Sequence, residues 1–166
     1  MRFDSILLLI LGLVVGLLFS SSSLSMPQTL RVLNFQEFEP HLLQKTDTTY
    51  VINFWASWCV PCMEEMPAFQ KLHENHKNKK LKLLMVSLDL PSQVESRVKP
   101  TIKRFNLEAE VVVLDDPDFN AWINRVSSSW TGSIPATLIY NSEERSFHEG
   151  TFTYEELESA VLKKLN

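Results

Sequence analysis

The chain is poor in cysteine and has no concentrated charge. Its 166 residues include only two cysteines, Cys59 and Cys62, which excludes a framework of several disulfides and leaves a cysteine-based zinc site short of its four ligands. The net charge is −4 and the basic residues are dispersed, which predicts neither a nucleic-acid partner nor a polybasic membrane patch. A nucleotide-binding motif is also missing. We therefore expect no cofactor and no bound metal.

Nothing in the sequence marks an internal repeat or a second folded domain. At the N-terminus, Arg2 precedes an apolar run from Ile6 to Phe19, followed by small residues and a candidate cleavage point after Ser25. The run is shorter than the roughly 20 residues of a spanning helix, so residues 1–25 are predicted to be a signal peptide, with an uncleaved membrane anchor as the alternative. No cysteine follows the run, which excludes lipid attachment there. Residues 26–166 are predicted to form one domain.

Both cysteines stand where a predicted strand, Tyr50–Trp55, gives way to a predicted helix, Cys59–Asn78. Two intervening residues allow the sulfurs to form a small disulfide ring or to face each other as a dithiol. Unpaired N–H groups and the dipole of the helix favour the thiolate form of the first sulfur. We therefore predict that Cys59 is the attacking thiolate and that Cys62, one turn deeper, is the resolving thiol.

The spacing of the cysteines is also compatible with two other uses. A structural disulfide closing so short a loop would stabilise the fold poorly, which favours redox chemistry. Met63 and Met66 stand beside the pair and are compatible with a copper-binding or copper-delivery module, although methionines there are more often core or rim side chains. This remains the alternative to an enzyme.

The segment around the cysteines resembles a known family. The run Phe54–Cys62 (FWASWCVPC) is similar to the active-site segment of the thioredoxin superfamily, and Glu64–Pro67 (EEMP) resembles its TlpA/ResA-type branch of exported thiol–disulfide oxidoreductases. The resemblance implies an α/β, thioredoxin-like fold for residues 26–166, with a mixed central sheet flanked by helices on both faces. Peroxiredoxins share the superfamily, but their signature proline and threonine would fall at Ile52 and Ala56, which disfavours a peroxidase.

The remaining pattern of strands and helices agrees with such a fold. Besides Tyr50–Trp55, strands are predicted at Leu30–Leu33, Leu81–Leu88, Glu110–Leu114, Ala136–Tyr140 and Arg145–Glu149. Besides Cys59–Asn78, helices are predicted after Asn34, over Gln93–Phe105 with a restart at Pro100, from Asp115–Pro117 onward, and over Tyr154–Leu165 behind a capping box of Thr153 and Glu156.

Glu65 lies three residues after Cys62 and so on the same helix face. The resemblance implies that it exchanges protons with Cys62, since thioredoxin's acid on the central strand is replaced here by Asn53. Burial against apolar neighbours such as Phe54 and Met66 would raise its pKa. The alternative is a solvated helix residue.

The segment Ser133–Thr137 (SIPAT) resembles the superfamily's cis-proline loop, which faces the cysteines. This implies that Ile134 and Pro135, together with Trp58 of the cysteine segment, bind substrate, with the Ile134 backbone pairing to an extended chain. An ordinary trans proline before an edge strand is the alternative.

The resemblance implies a protein-disulfide reductase whose partners are protein thiols and disulfides, with cytochrome c maturation as one context by analogy. Electrons would come from a membrane or envelope thiol donor. We expect an exported monomer of the periplasm or cell envelope, tethered to the membrane if residues 1–25 are retained.

Overall fold

The computed structural model describes residues 30–165. The predicted signal peptide or anchor, residues 1–25, lies outside these residues. None of the helices in the described part of the chain is long and apolar enough to cross a membrane.

A six-stranded sheet forms the centre of the fold. Its strands are β1 (Arg31–Leu33), β2 (Thr49–Trp55), β3 (Leu81–Ser87), β4 (Glu110–Leu114), β5 (Ala136–Tyr140) and β6 (Arg145–Glu149). They stand in the order β1-β4-β3-β2-β5-β6. The strands from β1 to β2 in this order are parallel, whereas β5 is antiparallel to both β2 and β6. The predicted mixed sheet is confirmed, and β2, the strand before the cysteines, has a neighbour on each side.

The α-helices are short except for the one that follows the cysteines. They are α1 (Phe35–Phe38), α2 (Val60–His76), α3 (Lys99–Arg104), α4 (Phe119–Val126) and α5 (Tyr154–Leu162); 3₁₀ turns span Glu39–Leu42 and Pro91–Gln93, and a π-helical segment spans Val94–Val98. Pro67 lies inside α2, where it cannot donate an intrahelical backbone hydrogen bond.

Of two predicted helix starts, one is confirmed and the other is wrong. The restart at Pro100 is confirmed, because the π-helical segment ends at Val98 and α3 begins at Lys99, with Pro100 in its first turn. The start predicted at Asp115–Pro117 is wrong. The helix begins only at Phe119, because the Asp118 carboxylate accepts the N–H of Ala121 at 3.3 Å and caps it there.

Alternate residues of β2 point into two separate hydrophobic layers. Val51 and Trp55 pack in the layer that contains Met66 of α2 and Leu157 of α5. Ile52 and Phe54 pack in the opposite layer, with side chains of α1 and α4 such as Phe38 and Trp122. This follows from the two-residue period of a strand. Helices therefore cover both faces of the sheet, as predicted.

After the β5–β6 hairpin, the chain returns to the face of the sheet on which α2 and the cysteines lie. The predicted capping box begins α5: the Thr153 hydroxyl accepts the N–H of Glu156, and the Glu156 carboxylate accepts the N–H of Thr153. Between β6 and this cap, Phe152 passes beside α2 and brings its backbone N–H to Glu65.

Candidate active site

The two cysteines form a disulfide at the N-terminus of α2. Cys59 is the N-cap residue, and the N–H of Cys62 points at the Cys59 sulfur at 3.3 Å. Cys59 is 5% exposed, whereas Cys62 is fully buried. A sulfur that receives a helix N–H is favoured as a thiolate. The outer position of Cys59 and the inner position of Cys62 agree with the predicted order of attack and resolution.

The loop before β5 lies against the outer sulfur. The Ile134–Pro135 peptide bond is cis, as the resemblance implied, and the carbonyl oxygen of Ile134 lies 3.7 Å from the Cys59 sulfur. Within residues 30–165, the backbone N–H of Ile134 has no hydrogen-bond acceptor. Trp58, the residue directly before Cys59, is 58% exposed. Of the predicted substrate-binding residues, Ile134 contacts the Cys59 sulfur, Pro135 follows it in the same loop, and Trp58 precedes Cys59 in the chain.

Glu65 is buried behind the cysteines. It is only 2% exposed, one carboxylate oxygen accepts the Asn53 amide at 2.8 Å, and the other accepts the N–H of Phe152 at 3.0 Å. Burial raises its pKa to about 7, although the hydrogen bonds from Phe152 and Asn53 act in the opposite direction. The predicted rise is confirmed and the solvated alternative is wrong. A carboxyl that titrates near neutrality can take up or release a proton at working pH.

The prediction that Phe54 packs against Glu65 is wrong. Phe54 packs in the layer on the far side of the sheet, because consecutive strand residues point to opposite faces. Its neighbour Asn53 points toward α2 instead and is fully buried. The Asn53 amide donates to both Glu65 and the hydroxyl of Thr137, the latter at 3.1 Å, since Thr137 is the β5 residue paired with Asn53.

Glu65 lines an open groove that is accessible to solvent. The groove has a volume of about 420 Å³ and lies between α2 and the segment from Thr151 to Glu156. Glu64 and Lys71 of α2 and Tyr154 of α5 are among the residues that line it. A buried carboxyl that lines a solvent-accessible groove has a short route for proton exchange with solvent.

Asp89 is a structural part of the site that the sequence analysis missed. It is 1% exposed, and its carboxylate accepts the backbone N–H of Ser57 at 2.8 Å, the Ser57 hydroxyl at 2.5 Å and the Ser87 hydroxyl at 2.8 Å. These bonds fix the loop that carries Trp58. A signal was present, since Asp89 follows a predicted strand, and carboxyl ends of parallel strands meet at one sheet edge.

The methionines near the cysteines face the protein interior. Met66 is fully buried in the layer beneath α2, and Met63 packs against the same layer. In the part of the chain that the structure describes, no group of three or more histidine, cysteine, aspartate or glutamate side chains is arranged to hold a metal ion.

A Cys-x-x-Cys disulfide after the central strand of this mixed sheet, facing a cis-proline loop, defines a thioredoxin-like protein. The chain belongs to the AhpC/TSA family, whose model matches residues 29–145. It is 31% identical over 113 residues to Thioredoxin-like protein YneN of Bacillus subtilis, covering 67% of this chain and 62% of the relative. It is 30% identical over 110 residues to Thiol-disulfide oxidoreductase ResA of Geobacillus kaustophilus, covering 64% and 58%.

A solved structure adds to these similarities. The crystal structure of StoA from Bacillus subtilis matches with a TM-score of 0.52 at 27% identity, covering 70% of this chain and 83% of that one. The predicted thioredoxin-like fold and the resemblance to ResA-type thiol–disulfide oxidoreductases are confirmed. The matches span less than two thirds of the length of the two curated relatives.

Proposed function

We propose that this protein is an exported thiol–disulfide oxidoreductase that reduces the disulfides of other exported proteins through Cys59 and Cys62. The observation that carries the proposal is the arrangement around α2. An outer sulfur receives a helix N–H, an inner sulfur is buried, and a carboxyl with a pKa of about 7 follows one turn later. Ile52 and Ala56 stand where a peroxidase of this superfamily would carry proline and threonine, which favours disulfide chemistry over peroxide reduction.

The first step is attack on the substrate disulfide. The Cys59 thiolate forms a bond to one substrate sulfur, and the other substrate sulfur leaves as a thiolate. Trp58, directly before Cys59, is exposed, and Ile134, whose carbonyl oxygen lies 3.7 Å from this sulfur, has a backbone N–H without an acceptor among residues 30–165. They are suited to hold an extended polypeptide whose disulfide lies over Cys59, which supports Trp58, Ile134 and Pro135 as substrate-binding residues.

The second step is resolution of the mixed disulfide. Cys62 attacks the Cys59 sulfur, the Cys59–Cys62 disulfide forms, and the second substrate sulfur leaves as a thiolate. The substrate gains two electrons and the protein loses two. Cys62 must lose its proton to react, and ionised Glu65, three residues away on the same helix face, is the group we assign to accept it.

Return to the dithiol requires two electrons from a thiol donor, which we propose to be a membrane or envelope protein. Residues 1–25 support export, as a signal peptide or as an anchor, to the periplasm or cell envelope. Cytochrome c maturation is the substrate context suggested by analogy, and we propose that the protein acts as a monomer.

The test is the reduction potential of the Cys59–Cys62 couple together with turnover on a disulfide-bonded peptide. A reductase should lie near thioredoxin, at about −270 mV, whereas an oxidase should lie toward about −120 mV. An oxidising potential would reverse the proposed direction. Stoichiometric, tight Cu(I) binding with no reduction of the peptide would instead favour copper delivery. The Cys59→Ser/Cys62→Ser double variant is the control for both measurements.

A further inference from the structure

We infer that Glu149 is a positioning residue for substrate docking, holding the loop from Thr131 to Ile134 against the cysteines. This role rests on the proposed function, because the loop presents the Ile134 backbone to substrate. Glu149 is the last residue of β6 and belongs to neither the cysteine segment nor the loop itself.

The Glu149 carboxylate is surrounded by donors from one short segment. One oxygen accepts the backbone N–H of Thr131 at 2.9 Å, and the other accepts the hydroxyl of Thr131 and the backbone N–H of Ser133 at 3.2 Å. Gly132 stands between the two backbone donors at φ +98°, a conformation that glycine adopts most easily. The carboxylate therefore gathers three donors and fixes the loop's direction.

The same β-strand holds the other end of the loop. Glu149 pairs with Ala136 across the sheet, and the N–H of Gly150 donates to the carbonyl of Pro135 at 2.8 Å. The segment between Thr131 and Ala136 is thus attached to β6 on both sides of Ile134. Ile134 has no backbone hydrogen bond of its own within residues 30–165. These two attachments therefore direct its backbone, together with the packing of its side chain against both hydrophobic layers and the hydrogen bond from the Trp130 indole to the carbonyl of Ser133 at 2.8 Å.

Charge also supports this role. Burial acts to raise the pKa of Glu149, but the hydrogen bonds from Thr131 and Ser133 outweigh it and leave the pKa below its ordinary value. Glu149 is therefore ionised at neutral pH and accepts all three hydrogen bonds. A glutamine there would present an NH₂ group, a donor, toward one set of donors.

The experiment compares two disulfides that differ in their use of the loop. Reduced protein reacts in single turnovers with a disulfide-bonded peptide and, separately, with 2-hydroxyethyl disulfide, which has no peptide bond to pair with Ile134. For Glu149→Gln we expect the half-saturating peptide concentration to rise about tenfold, the maximal rate to change by less than about twofold, and the reaction with 2-hydroxyethyl disulfide to stay within about twofold of wild type. Glu143→Gln, an exposed change on the same hairpin, should alter neither reaction.

A second measurement needs no substrate. Amide hydrogen exchange of Thr131 and Ser133 should speed up about tenfold in Glu149→Gln and remain at the wild-type rate in Glu143→Gln. Unchanged exchange, or equal losses on the peptide and the small disulfide, would overturn the inference while leaving the proposed function standing. A wild-type protein that reduces no peptide disulfide would overturn the proposed function, and the docking role with it, even if exchange responded.

Discussion

Glu65 and Glu149 are both carboxylates held by backbone and side-chain donors near the cysteines, but they differ in solvent exposure and in hydrogen bonding. Glu65 is buried and accepts two hydrogen bonds, and its pKa rises to about 7. Glu149 is partly exposed and accepts three, and its pKa falls below its ordinary value. Burial without enough donors yields a group that exchanges protons near neutrality, whereas many donors near the surface yield a fixed negative charge.

The largest expected effect comes from replacing the two cysteines. Cys59→Ser should abolish reduction of a disulfide-bonded peptide, because the attacking thiolate is gone. Cys62→Ser should instead accumulate a mixed disulfide with the peptide, visible by mass spectrometry under non-reducing conditions. Alkylation of the reduced protein followed by peptide mapping checks the order. Faster alkylation of Cys62 than of Cys59 near neutral pH would reverse the two roles.

Glu65→Gln should slow resolution by about 100-fold, the lower end of what a positioned proton acceptor contributes. The measurement is the rate at which the peptide is released from the preformed mixed disulfide, followed at several pH values. Glu64→Gln is the matched control, because Glu64 is a neighbouring exposed residue on the same helix. If both variants release the peptide at the same rate, Glu65 has no part in proton transfer.

The same residue should make the stability of the oxidised protein depend on pH. Because the folded pKa of Glu65 is above its ordinary value of 4.5, the folded state binds more protons than the unfolded state between pH 4.5 and about 7. Its stability therefore falls as pH rises through this window, by about 3 kcal/mol from the shift between these two values.

Glu65→Gln should remove that dependence. In denaturant unfolding of the oxidised proteins, the free energy of unfolding of the variant should rise relative to that of wild type by about 3 kcal/mol between pH 4 and pH 8. Glu64→Gln should follow the wild-type curve. A pH-independent difference between wild type and Glu65→Gln would mean that Glu65 titrates at its ordinary pKa.

Much of this site could be predicted from the sequence because its signals are local. Cys59, Cys62 and Glu65 share one helix, so their spacing alone places them together. The β-branched and aromatic run before them predicts a buried strand, and β2 is that strand. The proline loop was located only through the family resemblance, since spacing along the chain does not bring Ile134 to Cys59.

What escaped prediction depends on pairings between distant segments. The Phe152 N–H reaches Glu65 across 87 positions, Glu149 reaches Thr131 across 18, and Asp89 reaches Ser57 across 32. Each contact is set by sheet order and strand register, which local patterns do not encode. The misplaced start of α4 has a different origin, because three aspartates compete as caps and only Asp118 has the required geometry.

The smallest expected effect concerns Glu149, the carboxylate whose pKa is lowered. Glu149 has a folded pKa below 4.5, so its ionised form stabilises the folded state above that pH and the contribution disappears as pH falls through the folded value. Glu149→Gln should therefore be less stable than wild type at pH 7, by no more than about 1 kcal/mol because solvent weakens the charge at this partly exposed position. The two proteins should converge in stability in acid, below the folded pKa. Thermal unfolding of Glu149→Gln and Glu143→Gln at a series of pH values checks this, and a deficit that widens toward low pH would show that the carboxylate is not the group that holds the loop.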